Sequence, residues 1–165
     1  MKRPAFFLCL LGLVAGPAQA RDALGMFGTW GAFRDAGIPR CYAIAMPDKM
    51  PEKDAKREGN PYADVGLWPK KGLRGQVHFR LSRRTQPGAA VQLSLGGQHY
   101  RLMGGGIDAW AADDRMQAAI VAAMRSGEIM TISSRDGAGR LFADQYALPG
   151  AATAMDAASL ACAAR

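Results

Sequence analysis

Between residues 76 and 82 the chain alternates strictly: Val77, Phe79 and Leu81 are apolar, while Gln76, His78, Arg80 and Ser82 are polar. A period of two places the first set on one face of an extended strand and the second on the other. Val91, Leu93 and Leu95 repeat the period. Gly96-Gly97 then supplies a hairpin turn whose return limb runs from Gln98 to Met103. Upstream, Cys41, Ala43 and Ala45 alternate with Tyr42, Ile44 and Met46, and Tyr62 to Trp68 forms a short strand that Pro69 ends. Gly25 to Phe33 (GMFGTWGAF) reads as a first strand, followed by a turn at 35–39. Gly104-Gly105-Gly106 is expected to break the strand before it, and Asp136-Gly137-Ala138-Gly139 to join strands over 128–133 and 141–148.

The period changes after residue 112. Asp113 or Asp114 can cap a helix, with Gln117 in capping-box position relative to Asp114. Met116, Ile120 and Met124 then recur every four residues, Arg125 suits the helix C-terminus, and Gly127 closes it. Thr153 to Cys162 is alanine-rich and reads as a second helix with Thr153 as N-cap. Residues 47–61 (PDKMPEKDAKREGNP) have three prolines, many charges and no apolar period, and are expected to form a long exposed loop. No internal repeat is present. The pattern predicts a mainly β (α+β) fold: an antiparallel sheet or β-sandwich with one mid-chain helix and a C-terminal helix.

Composition adds a compartment. Lys2 and Arg3 precede a short apolar run from Ala5 to Val14, and Ala18-Gln19-Ala20 offers a small-x-small cleavage site. Residues 1–20 therefore read as a signal peptide cut before Arg21, and Cys9 leaves with it. The run is too short to cross a bilayer of about 30 Å, and no later stretch is apolar enough to do so. What remains, residues 21–165, reads as a single exported domain, periplasmic or secreted, without a transmembrane segment. In an oxidising compartment the two remaining thiols, Cys41 and Cys162, are expected to form a disulfide. Closing a loop of that length would stabilise the fold by about 4–5 kcal/mol on the chain-entropy account. A catalytic Cys41 would need a base and an orienting partner, and the chain has two histidines in all.

Charge is unevenly spread. The full chain carries a net charge of +7. Residues 70–101 hold Lys70, Lys71, Arg74, Arg80, Arg83, Arg84 and Arg101 without one Asp or Glu. Such a block is either a solvated sheet face or a surface for anions. Arg74, His78, Arg80 and Arg84 share one strand phase, with Arg101 on a neighbouring strand, and these five are the anion-binding candidates. After export, nucleic acid is not the expected partner; lipid A phosphates, anionic headgroups or acidic glycans are.

Catalytic signals are sparse. His78 and His99 fall on the polar phase of neighbouring strands, but two histidines without a third ligand make a poor metal site, so neither metal nor other cofactor is expected. The triple glycine lacks the Lys-Ser/Thr and adjoining helix of a phosphate loop. No Gly-x-Ser-x-Gly elbow occurs. Asp113 and Asp114 suit the helix cap. An enzymatic alternative, a periplasmic hydrolase-like site, would have to assemble from Asp108, Asp144, Tyr146 and a histidine.

Several pieces occur together in order: Phe27-Gly-Thr-Trp30, Cys41-Tyr-Ala43, Pro61-Tyr62, and Leu102 followed by Asp108-Ala-Trp110. After them come Ala122-Ala-Met-Arg-Ser-Gly127, Ser134-Arg135, Asp144-Gln-Tyr-Ala-Leu148, Gly150 and Cys162. In this order they resemble the invasion-associated locus B family of exported proteobacterial proteins over nearly the whole chain after residue 20. The resemblance implies a small, mostly β envelope protein without assigned enzyme activity, associated in some pathogens with host-cell invasion. It implies action by binding an envelope or host-surface partner, and it supplies no catalytic residues. The chain departs from the family in having fewer cysteines than several members and a more basic segment, HFRLSRR, after Val77.

Overall fold

The computed structural model describes residues 21–35, 37–48 and 60–163. The expected signal peptide (1–20) and most of the expected 47–61 loop lie outside the described residues. Among the described residues, ten strands form one antiparallel sheet. In chain order they are β1 (Arg21–Phe27), β2 (Trp30–Asp35), β3 (Arg40–Ala45), β4 (Tyr62–Trp68) and β5 (Leu73–Arg80). Then follow β6 (Val91–Leu95), β7 (Gln98–Gly105), β8 (Asp108–Trp110), helix α1 (Asp114–Ser126), β9 (Ile129–Arg135), β10 (Leu141–Ala147) and helix α2 (Ala151–Ala163). Their spatial order is β1-β2-β3-β4-β5-β8-β7-β6-β9-β10. The mainly β architecture with a mid-chain and a C-terminal helix is as the alternation predicts.

Strand β7 is the corner of this sheet. Gln98 to Leu102 pair with β6, whereas Met103 to Gly105 pair with β8 on the other side. Gly104 and Gly105 thus continue the strand instead of breaking it, and the turn comes at Gly106-Ile107, before a three-residue β8 that the periodicity did not reveal. The segment read as one strand from Gly25 to Phe33 is two strands. They meet at a two-residue turn, Gly28-Thr29, which brings Phe27 opposite Trp30.

The inner face carries the core. Trp30, Ala32, Cys41, Ala43, Val65, Val77, Phe79, Leu93 and Ile132 are buried in one cluster with Ile120 and Met124 of α1 and Ala154 and Met155 of α2. Helix α2 lies across β1 to β3, and α1 lies on β5 and touches α2. The α1 stripe is as expected, and its cap is Asp113, whose carboxylate accepts the Met116 N–H at 2.7 Å. Helix α2 starts two residues before the expected cap, directly after Gly150, so Thr153 sits inside its first turn. The disulfide Cys41–Cys162 is formed, with Cα atoms 5.9 Å apart, and joins β3 to the last turn of α2.

Three contacts draw the two ends of the strand order together. The buried Trp30 indole donates from Nε1 to the Ala147 carbonyl at 2.8 Å. Asp48 N–H donates to the Gln145 carbonyl at 2.8 Å, and the Asp48 carboxylate accepts from Ala147 N–H. Beside them, backbone meets backbone. A Cβ at Gly150, whose φ is +95°, would fall 2.0 Å from the Phe27 carbonyl oxygen, and one at Gly28 would fall 2.7 Å from that of Pro149. Only glycine permits this approach. Gly150→Ala is therefore expected to destabilise the protein by about 2–3 kcal/mol, read as a lower urea midpoint. An unchanged midpoint would mean that the junction between the β1–β2 turn and α2 relaxes freely.

Candidate functional site

The register that buries one face of β4, β5 and β8 fixes what lies on the other. Asp64 is opposite His78, His78 is opposite Trp110, and Tyr62 and Asp108 both face Arg80. These cross-strand neighbours touch. His78 Nδ1 lies 3.1 Å from one Asp64 oxygen, and its Nε2 lies 2.9 Å from Asp108. The second Asp64 oxygen accepts from the Arg40 guanidinium on β3. Asp108 in turn accepts from Arg80 Nε and NH2 at 3.2 and 3.3 Å. The result is an unbroken chain of alternating charge, Arg40–Asp64–His78–Asp108–Arg80, across four strands.

Aromatic rings flank this chain. Trp110 stacks on the His78 ring at 5.1 Å, and Tyr62 meets its edge at 5.4 Å. Arg40 lies over Tyr42 at 4.3 Å and over Trp68 at 5.1 Å, with Lys71 on the same indole at 5.0 Å. Tyr42 stacks on Phe33 at 5.7 Å, and Arg80 approaches Tyr62 at 5.9 Å. Cations over ring faces gain from the ring quadrupole, and partial burial strengthens that attraction. Asp64 is 1% exposed and Trp110 40% exposed, so the charge chain is rooted in the sheet while its aromatic flank stays open.

Burial works to lower the His78 pKa, but the hydrogen bonds and charges of Asp64 and Asp108 outweigh it and hold it above the ordinary 6.5. Burial likewise opposes ionisation of Asp108, yet Arg80 and His78 bring its pKa below the ordinary value. A second carboxylate, Asp136, holds the β9–β10 turn. It accepts from Ala138 N–H, Arg140 N–H and Nε, and Arg83 NH1, each at 3.0 Å. Burial acts against its charge, but these donors bring its pKa to about 2.

The five anion-binding candidates do not share a face. Between Gly66/Trp68 and Leu73/Gln76 the ladder gains one residue on β5, at a bulge where Gly75 has φ +75°. That extra residue flips Arg74 to the helix side, where it lines a groove of about 530 Å3 with Asp114, Gln117 and Val121 of α1. His78 and Arg80 are engaged by carboxylates on the outer face. Arg84 and Arg101 line a third place, a surface groove of about 680 Å3 with Thr85, Gln86 and Gly104 to Gly106. The acid-free block in the sequence is partly neutralised in space, because Asp64 and Asp108 reach it from other strands and Asp136 from the β9–β10 turn.

The alternative set around Asp108, Asp144, Tyr146 and a histidine also divides. Asp108 meets His78 on the outer face. Asp144 and Tyr146 are fully buried on the inner phase of β10, where Asp144 accepts the Ser82 N–H at 2.9 Å. Burial raises the pKa of both, keeping each toward its neutral form. His99 lies elsewhere, bonded to Ser94 at 2.9 Å. Among the described residues no group of three or more His, Cys, Asp or Glu is arranged to hold a metal. Arg40, Tyr62, Asp64, Trp68 and Trp110 were not among the site residues expected from the sequence. The available signal was Asp64 itself, a lone charge inside the strand YADVGLW.

No family model matches the chain, and neither a curated protein nor a solved structure is significantly similar to it.

Two outcomes follow from the charge chain. Asp64→Asn leaves Arg40 and His78 without their buried counter-charge, so it should cost about 3 kcal/mol in urea unfolding. A loss under about 0.5 kcal/mol would reduce the pair to a surface contact. The second is a pH dependence. With its folded pKa raised, His78 contributes stability that is complete below about 6.5 and lost as pH rises through the folded value. Asp108, with a lowered pKa, contributes stability present above about 3.9 and lost as pH falls through its folded value. The gap in urea midpoint between wild type and His78→Gln should therefore be widest near pH 5–6 and narrow on alkalinisation. A gap independent of pH from 5 to 9 would rule out this linkage.

Proposed function

We propose that the chain is an exported envelope protein of the invasion-associated locus B type that acts by binding a partner through the outer face of β3, β4, β5 and β8. The observation that carries this reading is the asymmetry of the sheet. Both helices pack on the inner side, while the outer side presents Trp110, Tyr62 and Trp68 beside Arg40, Arg80 and Lys71. Half-open aromatics set beside guanidinium groups are typical of binding surfaces, since they offer contact area at small entropic cost. Export is supported by the amino-terminal pattern and by the disulfide.

The partner best suited to this face is an acidic glycan of the envelope or of a host surface. Sugar rings can lie against Trp110 and Tyr62 while their carboxylate or sulfate groups meet Arg80, only partly engaged by Asp108. The test is retention on immobilised heparin with co-sedimentation on anionic vesicles in parallel. Wild type should be retained at low salt and released as salt rises. Trp110→Ala with Arg80→Ser should weaken glycan retention roughly tenfold with the urea midpoint measured alongside. Retention unaltered in that variant, or binding to vesicles alone, would overturn the glycan reading.

A further inference from the structure

The two halves of the disulfide are unequal. Cys41 is fully buried on the inner face of β3, directly between Arg34 and Leu67 on the flanking strands. Cys162 is half-buried at the end of α2 and lines two adjoining surface clefts that also share Pro69. One, of about 330 Å3, is walled by Arg34, Asp35, Arg40 and Lys70; the other, of about 180 Å3, by Leu67, Leu73 and Arg74. Among the described residues, four cations line these clefts around the half-buried Cys162 against one carboxylate. Asp22 and Asp64 pair with two of them, and Arg21 lies 3.6 Å from Asp35, so the local balance stays positive.

We propose that Cys162 is a thiol-exchange site selective for small anionic thiols. Thiol–disulfide exchange proceeds by thiolate attack on an accessible sulfur, so only the Cys162 side can be approached from solvent. A positive cleft concentrates a thiolate that carries a second negative charge, such as a carboxylate or sulfonate. In the step, the entering sulfur bonds to Cys162 Sγ and the Cys41–Cys162 bond breaks. Its electron pair leaves on Cys41 Sγ and is then protonated by water. The entering sulfur is oxidised and Cys41 is reduced, so no outside oxidant is needed. The exchange unties the last turn of α2 from β3. The first turns stay packed through Ala151, Ala154, Met155 and Ala158.

The experiment treats the folded, disulfide-bonded protein with 2-mercaptoethanesulfonate, 2-mercaptoethanol or cysteamine. Each rate is divided by that reagent's rate with the neutral disulfide of 2-mercaptoethanol, and adducts are located by peptide mass spectrometry. At low salt the anionic reagent should react roughly tenfold faster than the cationic one, and the ratio should fall toward one at 1 M salt, where the Debye length is about 3 Å. The adduct should sit on Cys162, with Cys41 a free thiol. Lys70→Glu with Arg74→Glu should abolish or reverse the preference. A salt-independent ratio, equal rates for all three reagents, or an adduct on Cys41 would each overturn the proposal; the wild-type salt series decides it even if the double variant folds poorly.

Discussion

The hydrogen bond from the Trp30 indole to the Ala147 carbonyl ties the second strand of the sheet to the end of its last. Without it and the neighbouring Asp48 contacts, the strand order would describe an open ribbon with two inner surfaces facing water. With it, the faces of β2–β5 and β6–β10 turn toward one interior, and α1 and α2 occupy the remaining side. The full burial of Trp30, Ile132 and Tyr146 follows from that closure. The same junction explains why two glycines lie there. The chain entering α2 passes so close to the β1–β2 turn that no side chain fits between them.

The disulfide acts on this arrangement from the opposite end of α2. Its helix is alanine-rich, and small side chains let it sit close to β2 and β3 but limit the apolar area each residue buries. Cross-linking Cys162 to Cys41 compensates by restricting the unfolded chain, at a sequence separation of 121 residues. Helix α2 is therefore held at its start by backbone contact and at its end by a covalent bond. Arg125 of α1 adds an ion pair to Asp156 in its middle at 2.8 Å.

The outer face obeys a different rule. A carboxylate as buried as Asp64 is tolerable only because Arg40 and His78 neutralise it. A second carboxylate, Asp108, also helps hold the His78 pKa above its ordinary value, so removal of one member leaves its neighbours less compensated. Trp110 and Tyr62 both rest against the imidazole at the centre of this network. Under the proposed function, a partner would meet side chains already tied to one another, which limits the entropy lost on association.

Strand periodicity, the α1 cap and stripe, both glycine-marked hairpins and the cysteine pairing were legible from residues alone, because each rests on local geometry or on a count of two. The triple glycine was misread because Gly104 and Gly105 pair with β8, and Thr153 because the close approach of the β1–β2 turn at Gly150 sets the start of α2. Residues 70–101 by themselves show only cations. Which of those cations have partners depends on Asp64, Asp108 and Asp136, and on one extra residue at Gly75 that turns Arg74 away from His78. Alternation determines that each strand has two faces. Register, bulges and strand order decide which charges meet across them, because they depend on hydrogen bonds between segments far apart in the chain.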